Sequence, residues 1–221
     1  MENTPKLYFA PLACSLASRI ALRHAGIDAT YVQVGLRSKR LPDGSDYHAV
    51  NPLGSVPALL TDDGRLITEN AAILQHVLKD DEHDPTELIR WLSFIATELH
   101  ASIFAPLFDP QAPEEVKRYA LEKAPSRLAF AERHLESRDY VLDALSAADM
   151  YLYTVLNWTP ATPIKLDDYP ALRAYHKRMA KLPAVAEAFA IEFPLYQADQ
   201  RADQQANQRK SKGSPVRPDV G

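Results

Sequence analysis

The sequence predicts a two-part protein, a small α/β unit followed by an all-α bundle, and three observations carry that expectation. The first 79 residues alternate short β-prone runs with amphipathic helices, the chain turns uniformly helical in pattern after Thr86, and the stretch between them, "KDDEHDP", is charged and closes on a proline. With 221 residues, 46% hydrophobic and 24% charged, there is enough apolar material for a real core. The expected organisation is a first domain over 1–79, a linker over 80–86, a helical domain over 87–196, and a flexible tail over 197–221, whose composition offers almost nothing to bury.

Each element has its own signal. "KLYFA", from Lys6 to Ala10, is a β-prone run that stops at Pro11, which cannot continue a central ladder. Leu16, Ala17, Ile20 and Ala21 recur at helical spacing from Ser15 to Ala25, and Gly26 stands where a left-handed residue ends a helix. "ATYVQVG" then reads as a second strand, so the opening β-α-β predicts a parallel pair with a right-handed crossover. "ALLT" and "RLIT" flank Asp62-Asp63-Gly64 as a hairpin, and Ile73, Leu74, Val77 and Leu78 mark a helix over Glu69 to Leu78. In the second part, Leu88, Leu92, Ile95 and Leu99 form one apolar stripe, and Val116 to Leu135 carries another. Ser146 precedes Asp149 by three residues in "LSAADMYLYTVL", a capping box worth about 0.5–2 kcal/mol with Asp in place of Glu or Gln.

Composition removes several function classes. A net charge of −4 gives no electrostatic footprint for nucleic acid. The continuous apolar runs fall short of the ~20 residues that span a bilayer, no leader-like segment opens the chain, and one cysteine cannot form an internal disulfide; the expectation is a soluble, cytoplasmic protein. Glu82, His83 and Asp84 are the nearest approach to a ligand cluster and read as solvated linker residues, and no G-x-x-x-x-G-K loop occurs. Neither a metal nor a nucleotide is expected.

The single cysteine, Cys14, lies between the first strand and the first helix. At a helix start, unpaired N–H groups and the dipole stabilise an anion by about 0.3–2 kcal/mol, which predicts a thiol ionised about one pH unit more easily than the usual ~8.5. Ser15 can donate to that thiol or to a bound sulfur, or else cap the helix. Glu69 and Asn70 begin the second helix, where N–H groups favour a carboxylate and the Glu side chain can meet an ammonium.

The element order β-α-β, loop, β-β-α is that of the thioredoxin-like module. A loop cysteine before the first helix, "NPLGSVPALL" entering a strand, and "ITENAAILQHV" opening a helix resemble the N-terminal half of cytosolic glutathione transferases. "ACSLASRIALRHAG", "AVNPLGSVPALLTDDG" and "TELHASIFAPLF" resemble the bacterial beta class, with the likeness running from about Lys6 to Leu195. The resemblance implies glutathione as co-substrate, a homodimer, and either conjugation to a hydrophobic electrophile or exchange through a mixed disulfide with Cys14. It further implies a cis bond before Pro57 that turns the Val56 backbone toward the cysteinyl unit of glutathione, Lys39 on the glycyl carboxylate, and Glu69 and Asn70 on the γ-glutamyl end. His100 over the thiol and Trp158 beside it follow from the same likeness, and a spacing of four and three puts His100, Ala96 and Ser93 on one helix face. The chain departs from the pattern at Asn70, where the class carries a small residue, and at Ser93, where it carries Asn. Those departures, with a short linker, support the alternative of a non-catalytic protein of the same fold that binds another protein.

Overall fold

The computed structural model describes residues 4–79 and 82–212, with side chains described through 205; residues 80 and 81 of the expected linker and 213–221 of the expected tail lie outside them. Strands β1 (Lys6–Phe9), β2 (Thr30–Gln33), β3 (Ala58–Leu60) and β4 (Leu66–Thr68) form one mixed sheet in the order β2-β1-β3-β4. β1 runs parallel to β2 with Lys6 opposite Thr30, and antiparallel to β3, which pairs with β4 through the Thr61–Arg65 turn. Gly64, at φ +85°, supplies the left-handed residue that turn needs.

Helices α1 (Ser15–His24) and α2 (Asn70–Leu78) pack on one another and on the sheet. Gly26, at φ +66°, lies just past the end of α1 as its place in the sequence predicts. The second part comprises α3 (Pro85–Phe108), α4 (Glu114–Leu135), α5 (Ala147–Leu156), α6 (Pro170–Met179) and α7 (Pro183–Lys212). α1 is the hinge of the assembly, because it touches α2 on one side and α5 and α7 on the other. One apolar core therefore runs through both parts, from Leu7 and Ile20 to Leu152 and Met179. A smaller cluster of Tyr8, Val34, Tyr47 and Ala58 covers the other face of the sheet.

Two expectations change here. The chain does not loosen at 197: α7 continues to Lys212, Gln33 donates to Asp199 at 3.0 Å, and Arg37 stands 3.4 Å from Asp203. Composition signals failure to build a core, but Ala, Gln, Arg and Lys are also good helix formers, and no Gly or Pro interrupts them between Leu195 and Lys212. α3 is long and apolar enough to cross a membrane by length and composition alone, whereas the sequence runs suggested no such segment. Its apolarity is that of a core helix, since Leu88, Trp91, Leu92, Ile95, Leu99, Ile103 and Phe104 are buried among the other helices.

α5 is buried along its entire length, and the capping box at its start forms in both directions. The fully buried Asp149 carboxylate accepts from the backbone N–H groups of Val141 (2.8 Å) and Ser146 (2.9 Å) and from the Tyr175 hydroxyl (3.0 Å), tying three segments together. Asp149→Ala leaves these donors buried without an acceptor, so the unfolding free energy should fall by about 3–4 kcal/mol, measured in urea, while Asp149→Asn should cost less because it keeps one acceptor oxygen.

Candidate active site

The loop Pro11–Ala13 carries the chain from β1 into α1 and places Cys14 at the helix N-cap. Leu12 adopts φ +56°, a left-handed conformation that a leucine takes at some cost, and both of its backbone polar groups are held by the helical domain. Its N–H donates to Glu192 Oε2 at 2.7 Å and its carbonyl accepts from Trp158 Nε1 at 2.8 Å. Glu192, without exposed surface, also receives Arg19 Nε at 2.6 Å, and the Arg19 guanidinium lies 3.7 Å from the Tyr31 ring centre and 4.4 Å from that of Phe9.

The Cys14 thiol donates to the Val56 carbonyl at 3.1 Å. The Val56–Pro57 bond is cis, as the resemblance implied. The preceding loop is pinned by Tyr47 and Asn51, both of which donate to the Ser55 carbonyl (2.9 and 2.7 Å). Lys39, itself at φ +53°, reaches the same loop by donating Nζ to the Gly54 carbonyl at 2.8 Å. Lys39, Val56 and Cys14 thus share one rim. Glu69 is exposed at φ +68° and caps α2 without a side-chain hydrogen bond, with its charge near enough to bear on the thiol.

Several roles read from the sequence do not hold. The Cys14 thiol is not ionised easily: burial pushes it up to about 12, the Glu69 and Glu192 charges push the same way, and the N–H groups of Cys14 and Ser15 pull it down by less. A dipole worth a kcal/mol or two is outweighed when the thiolate would lose its water. Ser15 neither caps the helix nor reaches the thiol. Its buried hydroxyl accepts from the Ala10 N–H (3.1 Å) and donates to the Ala10 carbonyl (3.0 Å), locking the loop closed. Asn70 does not crowd the cleft, because it is only 6% exposed and its Oδ1 accepts from Ser18 at 2.7 Å. Ser93 is exposed, and it does not share the setting of His100.

The reason for that last separation is a change of helix type. Within α3, Ile95–Phe104 is a π-helix, a form found often at functional sites, in which each residue advances less around the axis than in an α-helix. The α-helical spacing that put Ser93 and His100 on one face therefore fails across it. His100 is half-buried at the centre of this segment, its Nδ1 2.8 Å from the Tyr151 hydroxyl and its ring edge-on to Trp158 at 4.9 Å. Burial lowers its pKa, so the imidazole is neutral at physiological pH. Trp158, which the resemblance placed beside the ligand sulfur, spends its indole N–H on Leu12 and packs against His100, Phe104 and Phe108. It holds the loop. Tyr151, absent from the sequence-based set, belongs to the site, and its position inside a uniformly apolar helix gave no signal for it. Among the described residues no three His, Cys, Asp or Glu side chains cluster as a metal site would need.

The thiol's resistance to ionisation has a kinetic signature. Without ligand, alkylation of Cys14 by iodoacetamide should speed up about tenfold for each unit that pH rises above 7, with no plateau below pH 10, because reaction needs the thiolate and a group titrating near 12 is still far from half-ionised there. A plateau near pH 8–9, followed by intact mass, would show an ordinary thiol.

Comparison with known proteins agrees with this geometry. The family model "Glutathione S-transferase, N-terminal domain" matches residues 13–79, and "Glutathione S-transferase, C-terminal domain" matches 94–183. The chain is 43% identical over 199 residues to glutathione S-transferase GstA of Escherichia coli O157:H7, covering 85% of this chain and 98% of that one. Among solved structures, a sphingomonad glutathione S-transferase complexed with glutathione is 40% identical with a TM-score of 0.80, and the beta-class enzyme of Sphingomonas chungbukensis is 36% identical with a TM-score of 0.81; each alignment covers 85% of this chain and 98% of the other. A cysteine at the start of the first helix, a cis bond before Pro57, a mixed four-stranded sheet and a helical second domain, joined to these matches, establish that the chain belongs to the glutathione S-transferase family, with the bacterial beta class among its relatives.

Proposed function

We propose that this protein binds glutathione across the rim formed by Lys39, Val56, Cys14 and Glu69 and conjugates it to a hydrophobic electrophile held against the helical domain. The observation that carries the reading is the contact between the Cys14 thiol and the Val56 carbonyl, 3.1 Å apart. That carbonyl lies just before the start of β3, where an extended peptide can pair with it through its own N–H. Glutathione docking there would take the carbonyl from the thiol and free the thiol to donate to the arriving sulfur. Lys39 would meet the glycyl carboxylate, and Glu69 with the N–H groups of the α2 start, Asn70 among them, the charged γ-glutamyl end.

On this reading the nucleophile is the thiolate of glutathione, stabilised by the Cys14 S–H and by His100. It attacks the electrophilic carbon, a carbon–sulfur bond forms, and the leaving group departs with its electron pair. The second reading, exchange through a mixed disulfide, requires the Cys14 thiolate to displace a glutathione thiolate from oxidised glutathione. The elevated thiol pKa places it behind conjugation. The same reading takes the protein as a dimeric, cytoplasmic enzyme of detoxification with domains over 1–79 and 87–196, in keeping with family-model matches over 13–79 and 94–183.

Calorimetric titration with glutathione, run beside an aryl halide conjugation assay, tests the proposal. Wild type and Cys14→Ala should bind glutathione within about threefold of each other, since the peptide is held by its backbone and ends, while the variant should lose about tenfold in kcat, the worth of one hydrogen bond to a charged sulfur. A folded wild type that binds no glutathione would overturn the function and favour the non-catalytic alternative. Equal turnover by the two proteins would remove Cys14 from the reaction.

A further inference from the structure

We propose that Tyr151 and His100 form a buried relay in which the Tyr151 hydroxyl holds His100 in one tautomer, with its proton on Nε2, and that Tyr151 is therefore a positioning residue for the sulfur chemistry. The heavy atoms alone leave open which partner of the Tyr151–His100 contact, 2.8 Å long, gives the proton. The surroundings decide it. Tyr151 is buried, and among the described residues the hydrogen bond its hydroxyl makes is the one to His100 Nδ1. A buried hydroxyl whose proton has no acceptor is costly, and Nδ1 is the acceptor within reach, so Tyr151 donates and Nδ1 accepts.

The remaining features agree. Burial drives the Tyr151 hydroxyl far above its usual pKa, so it keeps its proton and acts as a donor. Burial also keeps His100 neutral, so one ring nitrogen accepts and the other carries the hydrogen. With Nδ1 accepting from Tyr151, Nε2 carries it, and among the described residues Nε2 makes no hydrogen bond and is not sealed off. The edge-on contact with Trp158 limits the ring's freedom to turn over, and the T-shaped contact with Tyr151, 6.0 Å between centres at 86°, fixes the plane on its other side. His100 is thereby preset as a neutral donor that spends no reorganisation when a sulfur anion develops. Without the relay, the Nδ1–H and Nε2–H forms would compete, and only one offers its proton to the cleft.

This deepens the proposed function and rests on it only where the sulfur is concerned. Its test reads the proton directly. Nitrogen-15 NMR of histidine-labelled protein, with the His100 signals identified by their loss in His100→Gln, should show a single Nε2–H tautomer in the ligand-free wild type. Tyr151→Phe keeps the ring and removes the hydroxyl, and it should give a mixture of tautomers, with kcat down about tenfold and KM for glutathione within about twofold, as loss of one preset hydrogen bond requires. A proton on Nδ1 in the wild type overturns the relay at once, whether or not the variants fold, and so does an unchanged tautomer in folded Tyr151→Phe. A wild type with the Nε2–H tautomer but no conjugation would count against the proposed function and leave the relay standing.

Discussion

The Glu192 carboxylate is the interaction on which the rest of the site depends. It comes from α7, has no exposed surface, and answers two groups of the first domain at once: the Arg19 guanidinium at 2.6 Å and the Leu12 N–H at 2.7 Å. Burying this pair away from water has a large desolvation penalty, repaid only when the geometry is good and the remaining polar atoms have partners. Both conditions are met, because each carboxylate oxygen has a donor and the guanidinium lies against Phe9 and Tyr31, each cation–π contact being worth ~1–2 kcal/mol when desolvated. Desolvation raises the Glu192 pKa above the usual carboxylate range, and Arg19 and the Leu12 N–H offset only part of that rise. Removing one partner would strand a buried charge, so the domains stay docked.

The chemistry inherits that rigidity. Leu12 holds a left-handed backbone that an isolated loop would abandon, and it does so because Glu192 takes its N–H while Trp158 gives a hydrogen bond to its carbonyl. Ser15 closes the same loop on Ala10 from within. Cys14 is thus set, half-buried, at a helix start where desolvation outweighs the pull of the N–H groups, so the thiol stays protonated and serves as a donor. The same argument covers His100 and Tyr151, two further polar groups kept neutral by burial and joined to each other. A site made of neutral donors suits a reaction whose negative charge arrives with the substrate.

Much of the scaffold was legible because it is written locally. Strand runs, the Gly26 helix stop, the Asp-Gly hairpin and the Ser146–Asp149 box each depend on residues a few positions apart. Cys14 could be marked by its place between the first strand and the first helix, and Val56, Pro57 and Lys39 by the resemblance of their loops to those of cytosolic glutathione transferases. What could not be read depends on distance or on burial. Glu192 is one acid in a helix, and nothing near it points to Arg19, 173 residues earlier. Tyr151 lies in a helix apolar on every side, where periodicity identifies no special face. The π-helix around His100 keeps an ordinary apolar stripe, so the altered phase that separates Ser93 from the site is invisible in sequence. The helix over 197–212 was not anticipated because composition reports whether a segment can form a core, and α7 beyond Gln197 needs only to stay helical and touch β2 at Gln33.

The central claim is that the helical domain holds the cysteine loop in place before any substrate arrives, and hydrogen exchange at the Leu12 amide tests it most directly. In the ligand-free protein that N–H, although it lies in a loop, should exchange only as slowly as the core amides of β1, through opening of the whole domain contact. Exchange at the rate of an ordinary exposed loop, with the core still protected, would mean that Glu192 does not clamp the loop and would contradict the account.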